Sequence, residues 1–219
     1  MAEESWLSET QQSYDTVAES YAEFARGGLD NLPRERAFLN AFAELVSAVS
    51  PGDALDAGCG PGWITAYLAE RGVRVMGVDL SPGLIDIARR NHPTIPFQVG
   101  SVTDLPAAPG SLSGIVCWYV LHHIPDDCLG AVFDQFTATL TDGGMLLIGG
   151  HAGAESYRKS EGYGGLPMNV LIAKRPVEQY AQLLHDRGFT VDVQATLYPF
   201  ERASSFVIMA HLDQSSPAN

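Results

Sequence analysis

Cysteine is scarce in this chain, with three among 219 residues. Cys59, Cys117 and Cys128 are odd in number and share no CxxC spacing with one another or with a histidine, which speaks against a disulfide framework or a zinc ribbon. Reduced, unpaired thiols are expected, and no metal site. Long apolar runs are missing too. None approaches the ~20 residues that a membrane-spanning helix needs, and the opening MAEESWLSET is acidic and polar, unlike a leader sequence. The expectation is a soluble cytoplasmic protein without a membrane partner. Basic side chains are few: 13 Lys plus Arg stand against 26 Asp plus Glu, a formal charge of −13. They gather only at Arg34/Arg36, Arg89/Arg90 and Lys174/Arg175, so a nucleic-acid backbone would be repelled over most of the surface. Internal repeats and low-complexity tracts are also lacking.

What is present suits one globular domain, at 46% hydrophobic and 18% charged composition. Two amphipathic helices are expected first, over 9–25 with Tyr14, Val17, Ala18, Tyr21 and Phe24 on one face, and over 33–49 with Phe38, Phe42, Leu45, Val46 and Val49. GGLDNLP separates them, with Pro33 suited to a first helical turn. After Pro51-Gly52 the pattern changes to short apolar runs at 54–58, 73–78, 96–100, 114–120 and 145–150, alternating with helical segments near 62–71, 82–91 and 126–140. That alternation is the signature of βαβ units around a parallel sheet. A further helix near 176–187 precedes two runs, 190–197 and 204–211, close enough to pair as an antiparallel hairpin. The expected organisation is a helical cap over 1–50, a main domain over 51–212 with a lid inserted at about 151–175, and a disordered tail at 213–219.

Ligands of such sheets sit at the carboxyl ends of the strands. The loop DAGCGPG, Asp56 to Gly62, lies at one. Its GxGxG spacing differs from the GxGxxG that places a pyrophosphate on a helix N-terminus. Asp56 would welcome a ligand carrying an ammonium and a sulfonium and would repel phosphates. Asp79, at the end of the next strand, suits two ribose hydroxyls, a feature that serves a dinucleotide equally well.

DAGCGPG, GVDLSPGLIDIARR, GSVTDLP, CWYVLHHIP and LTDGGMLLIGGH, in that order, resemble the motif set of class I S-adenosylmethionine-dependent methyltransferases over roughly residues 10–211. The likeness is greatest to bacterial small-molecule enzymes with an N-terminal YDxxAxxY helix, here Tyr14-Asp15 through Tyr21. The resemblance implies an α/β, Rossmann-like fold with a mostly parallel seven-stranded sheet, an antiparallel C-terminal strand and an N-terminal helical cap. It implies S-adenosylmethionine as cofactor and S-adenosylhomocysteine as product. Asp56, Gly58 and Gly60 would line the methionine part, with Cys59 between them, although Cys59 and Cys117 also read as small buried fillers. Asp79 would hold the ribose, Leu80 would pack on the adenine, and Ser101 and Val102 would face the ring. Ser101 replaces an acid common in the family. Trp118 would approach the transferring methyl.

Methyl transfer from a sulfonium needs alignment more than a covalent nucleophile. A base helps only where the acceptor carries a proton, as a hydroxyl does. His151, His122 and Tyr14 are the candidate catalytic groups, with Tyr21, Tyr119 and His123 as candidate acceptor contacts. His122 is preferred to His123, since neighbours do not easily face one pocket. The expected function is methylation of a small molecule, oxygen narrowly ahead of nitrogen, by a monomer or homodimer. The alternatives are a non-methylating reaction on the same cofactor and a nicotinamide-dependent oxidoreductase.

Overall fold

The computed structural model describes residues 2–49, 52–198 and 204–214. Two helices lead the chain, α1 (Ala2–Ala25) and α2 (Pro33–Ala48), joined by a short 3-10 turn at Gly28–Asn31. Then follow β1 (Asp53–Ala57), α3 (Trp63–Ala69), β2 (Arg74–Asp79), α4 (Pro82–Asn91), β3 (Phe97–Val99) and β4 (Leu112–Trp118). A 3-10 turn, Leu121–His123, leads into α5 (Asp126–Thr139) and β5 (Leu140–His151). The remainder is β6 (Tyr157–Gly162), β7 (Leu166–Ile172), α6 (Val177–His185), β8 (Phe189–Leu197) and β9 (Ser205–Leu212).

Seven strands form one sheet in the order β3-β2-β1-β4-β5-β9-β8. The pairs from β3 through β5 are parallel, and β9 runs antiparallel to both its neighbours. Side chains alternate across the sheet, as the pleat requires. Ile115, Cys117, Leu146, Ile148, Ile208 and Ala210 pack with α5 and α6 on one face. Val116, Met145, Leu147, Val207 and Met209 pack with α2 on the other. Both faces being covered explains why the central strands are continuous apolar runs. Gly114 lets α2 settle onto the sheet, because a Cβ there would lie 2.3 Å from Val46 Cγ2.

The expected elements recur with shifted bounds. Helix α1 begins at Ala2 where periodicity suggested residue 9, and β5 begins at Leu140 where the apolar run suggested 145. The segment expected as a lid loop is a second, two-stranded sheet, the β6-β7 hairpin. It packs on α1: Asn169 N donates to Ser13 Oγ at 2.8 Å, and Arg158 Nη1 meets Glu9 Oε2 at 2.6 Å. Phe24, expected on the buried face of α1, is 73% exposed. The last residues of the expected tail, 215–219, lie outside the described residues, as do 199–203 between the two expected C-terminal runs. Among the described residues no helix is long and apolar enough to cross a membrane.

Candidate active site

The strand order reverses between β1 and β4, and a cleft opens at the carboxyl ends there. Every strand from β1 to β4 delivers a wall to it: Gly58 and Gly60 after β1, Asp79 to Ser81 at the end of β2, Gly100 to Val102 after β3, and Trp118 to Val120 after β4. Helix α1 closes the cleft with Trp6, Leu7, Thr10, Gln11, Tyr14 and Tyr21.

The glycine loop is compact because its backbone is bound to its neighbours. Gly58 N and Cys59 N both donate to Val78 O, at 2.7 and 3.0 Å, and Gly60 N donates to Asp79 Oδ2 at 2.8 Å. Gly58 has φ +83°, and a Cβ on it would lie 2.2 Å from Val120 Cγ2. Only glycine meets both constraints. Cys59 turns away from the cleft and is buried with Ile85, Ala88 and Phe97, so the side chain expected beside the cofactor is a core filler.

Two carboxylates lie at this end. Asp79 also accepts from Ser81 N at 2.9 Å. Burial pushes its carboxyl up to about 6, against the lowering effect of the Ser81 and Gly60 N–H groups. Asp56 is 1% exposed beneath the loop, with Oδ2 accepting from Thr65 Oγ1 at 2.7 Å and Oδ1 buried without a partner among the described residues. Burial pushes it up to about 7, the Thr65 hydroxyl opposing and the Asp79 charge adding to the rise. Among the described residues the cleft wall includes no lysine or arginine. An orphaned buried carboxylate oxygen, a second carboxylate on the wall and no cation to meet a phosphate together fit S-adenosylmethionine and not a dinucleotide.

Leu80, Ser101, Val102 and Trp118 all line the cleft. Ser101 Oγ is already engaged with Thr103, at 2.8 Å to its Oγ1 and 3.1 Å to its N. Trp118 lies flat against Gly149, where a Cβ would come within 2.7 Å of the indole. Asp15 of the YDxxAxxY stretch does not enter the cleft. It accepts from Ser81 Oγ and from Gly83 N, clamping α1 over the start of α4.

The three histidines form one group, His122 lying between His123 and His151 with ring centroids 4.1 and 5.0 Å away, and of them only His123 lines the cleft. His123 lines the cleft and is held on both sides: Nδ1 is 2.8 Å from Leu171 O and Nε2 is 2.8 Å from Tyr14 Oη. A carbonyl only accepts, so the proton sits on Nδ1 and Tyr14 donates to Nε2. Burial pushes His123 down to about 4, which keeps it neutral at pH 7. Tyr14 packs with Tyr21 and with Tyr163 of the hairpin turn, and burial raises its hydroxyl well above the ordinary range. His122 and His151, expected on the cleft wall, are not part of it. They face each other with ring centroids 5.0 Å apart. Tyr119 joins this group to the cleft, since it lines the cleft and its ring is 4.9 Å from His151. Its φ of +58° is strained for a tyrosine and is held by Tyr119 N donating to Gly149 O at 2.8 Å. The turn carrying the histidines is fixed by buried Arg175, which bonds Leu121 O, Ile124 O and Asp126.

Trp6, Leu7, Thr10 and Gln11 were not anticipated in the wall. The signal was present, because Trp6, Thr10, Tyr14, Val17 and Tyr21 follow one another at helical spacing.

This sheet order with its glycine loop and two acid-ended strands defines the class I S-adenosylmethionine-dependent methyltransferase fold. Residues 54–144 match the family model described as a methyltransferase domain. The chain is 34% identical over 99 residues to the ubiquinone biosynthesis O-methyltransferase of Xanthomonas campestris pv. campestris, a match spanning 43% of this chain and 41% of that protein. The chain thus covers about two fifths of the length of that relative. Among solved structures it is similar to DhpI in complex with SAH (TM-score 0.75, 18% identity, 95% of this chain and 97% of that one). It is also similar to the [4+2]-cyclase SpnF (TM-score 0.71, 14% identity, 94% and 95%). Residues 54–144 are accordingly a methyltransferase domain, in a chain that carries the class I methyltransferase fold.

Proposed function

We propose that the protein transfers a methyl group from S-adenosylmethionine to a small-molecule acceptor, with oxygen favoured over nitrogen. The observation that carries this reading is the pair of carboxylates at the glycine loop, Asp56 buried beneath it and Asp79 half-buried on the wall of a cleft that has no cationic side chain among the described residues. When bound, S-adenosylmethionine supplies a methyl group made electrophilic by the sulfonium. Asp79 would accept from the ribose hydroxyls, Asp56 Oδ1 and the glycine backbone would hold the amino acid end, and Leu80 and Val102 would flank the adenine. Trp118, Tyr119 and Tyr14 exclude water from the region between cofactor and acceptor. The β6-β7 hairpin acts as the lid over that region, with Tyr163 packed beside Tyr14 and Tyr21. We place the protein in the cytoplasm as a monomer or homodimer, without nucleic acid or membrane as partner.

Calorimetric titration with S-adenosylmethionine, S-adenosylhomocysteine and the oxidised nicotinamide cofactor tests the reading. Binding of the first two and not the third is expected, and the reverse would overturn it. Turnover is then followed as S-adenosylhomocysteine release with a panel of acceptors. The likeness to a cyclase supports a second reading, a non-methylating reaction on a substrate held beside the same cofactor. It would be distinguished by product formed without S-adenosylhomocysteine.

A further inference from the structure

Helix α1 lies along the cleft in a fixed order of contacts. Toward its C-terminal end Tyr21 stands over the glycine loop, where a Cβ on Gly60 would lie 3.6 Å from Tyr21 Cε1. In its middle Asp15 grips Ser81 Oγ and Gly83 N just beyond β2, and Gln11 Nε2 donates to Leu80 O at 3.1 Å. Near its start Trp6 joins the buried cluster that holds Val102, Leu105 and Ile124. Trp6, Gln11 and Tyr21 all line the cleft. Tyr21 belongs to the glycine end, which leaves Trp6 and Gln11 to the stretch bounded by Leu80 and Val102.

Two polar functions of that stretch are left unused by the protein. Trp6 is 7% exposed, and its Nε1 is buried with no hydrogen-bond partner among the described residues. An indole N–H can only donate, and a buried donor without an acceptor is costly. Gln11 gives its amide nitrogen to Leu80 O, and because a carbonyl only accepts, the amide oxygen is the function left over. No hydrogen bond engages that oxygen among the described residues. The side chains at the facing strand ends do not compete for a polar ligand. Leu80 and Val102 are apolar, and Ser101 Oγ is taken up by the Thr103 hydroxyl and amide. A donor and an acceptor, both supplied by α1, therefore stand beside an apolar slot at the carboxyl ends of β2 and β3.

From this arrangement we infer that the first half of α1 reads the base of the cofactor: Trp6 Nε1 donates to a ring nitrogen of the adenine, and Gln11 Oε1 accepts from its amino group. The inference rests on the methyl-transfer reading, which sets the adenine between Leu80 and Val102, and it adds the two residues that select the base. An adenine presents an amino donor next to a ring-nitrogen acceptor, the complement of an indole N–H and an amide oxygen. Hypoxanthine carries a carbonyl in place of that amino group, so acceptor would meet acceptor at Gln11. A site built to hydrogen-bond a group rejects the analogue lacking it, because its own buried groups are then left unpaired. Helix α1 is thus part of the cofactor site as well as the cover of the cleft.

The test begins with calorimetric titration of the unaltered protein with S-adenosylhomocysteine. Absence of binding would break the methyl-transfer reading by itself, and the later steps concern α1 alone. S-inosylhomocysteine, which carries hypoxanthine, is expected to bind at least about tenfold more weakly. Gln11→Leu is expected to bring the two ligands to within about threefold of each other, whereas a merely structural role of the Leu80 contact would weaken both alike and leave their ratio unmoved. Trp6→Phe keeps a ring in the core and removes the N–H, and it is expected to weaken S-adenosylhomocysteine by about tenfold. Two analogues of S-adenosylhomocysteine, each with C–H in place of one of the ring nitrogens nearest the amino group, locate the partner of Trp6. One of them should lose about tenfold against the unaltered protein and nothing further against Trp6→Phe, the mark of a shared contact. Equal affinity for the adenine and hypoxanthine ligands, a ratio unmoved by Gln11→Leu, or losses from both analogues that stay additive with Trp6→Phe would each overturn the inference. The first of these outcomes needs no variant, so it decides whatever the substitutions do to stability.

Discussion

At the glycine loop the cleft wall is backbone and carboxylate, supplied by strand ends that the parallel sheet holds in register. Toward the hairpin it is phenol and imidazole, Tyr14 and Tyr21 from α1 with Tyr119 and His123 from the segment after β4. The first end suits a cation and is built from short sequence motifs. The second is built from residues far apart in the chain, such as Tyr14, His123 and Tyr163. A sheet that gathers four strand ends at one switch point can fix a shared cofactor while the elements packed above it change the acceptor.

The largest effect that would sharpen this contrast is expected from Asp79→Asn. The carboxylate accepts from Gly60 N and Ser81 N and lines the cleft. Charged hydrogen bonds contribute about 1.5–3 kcal/mol each, so calorimetry should find S-adenosylmethionine affinity lowered by about 100-fold with the fold retained. Unchanged affinity would remove Asp79 from the cofactor end. A smaller effect is expected from Tyr14→Phe, which leaves the buried Nε2 of His123 without its donor. Thermal unfolding should show a loss of about 1–2 kcal/mol, a few degrees in Tm, with cofactor affinity changed by less than about threefold. Loss of cofactor binding at unaltered stability would erase the division between the two ends.

The smallest effect is a pH dependence. Unfolded carboxyls titrate near 4, whereas Asp79 and Asp56 are raised to about 6 and about 7 in the fold. Stability from their neutral forms is complete below about pH 4 and is lost as pH rises through about 6 and 7. His123 has the opposite sign. Lowered to about 4, it contributes stability that is complete above about pH 6.5 and lost as pH falls through about 4. Because these trends oppose each other in the ligand-free protein, the informative quantity is the increase in Tm on adding S-adenosylmethionine. A cation binds the ionised carboxylates better, so the increase should be larger at pH 8 than at pH 5.5. An increase independent of pH would mean that the buried acids do not meet the ligand's charge.

The cofactor end was readable because its determinants are local. Gly58, Gly60 and Asp79 lie next to runs whose burial on both faces marks them as strands, and their roles follow from where parallel strands end. The acceptor end was harder, because nothing near Lys159 or Tyr163 in sequence says that the hairpin folds onto α1. Its mixed glycine, tyrosine and leucine content resembles a loop, and pairing between β6 and β7 is a tertiary fact. The division of the histidine pair was unreadable for the same reason. The two rings lie against each other, with centroids 4.1 Å apart, and contacts from distant elements, Leu171 O and Tyr14 Oη, hold His123 at the cleft. Trp6 was a different kind of miss, since its spacing from Tyr14 and Tyr21 was visible beneath an acidic opening that looked like a surface tail.

The tryptophans carry a practical consequence. Trp6 and Trp118 line the cleft, whereas Trp63, the third in the chain, sits edge-on against His92 at 5.1 Å. Trp118 stands in the proposed reaction between cofactor and acceptor, so intrinsic emission is a label-free gauge of the whole cleft, over a background set by Trp63, and it should answer to either ligand.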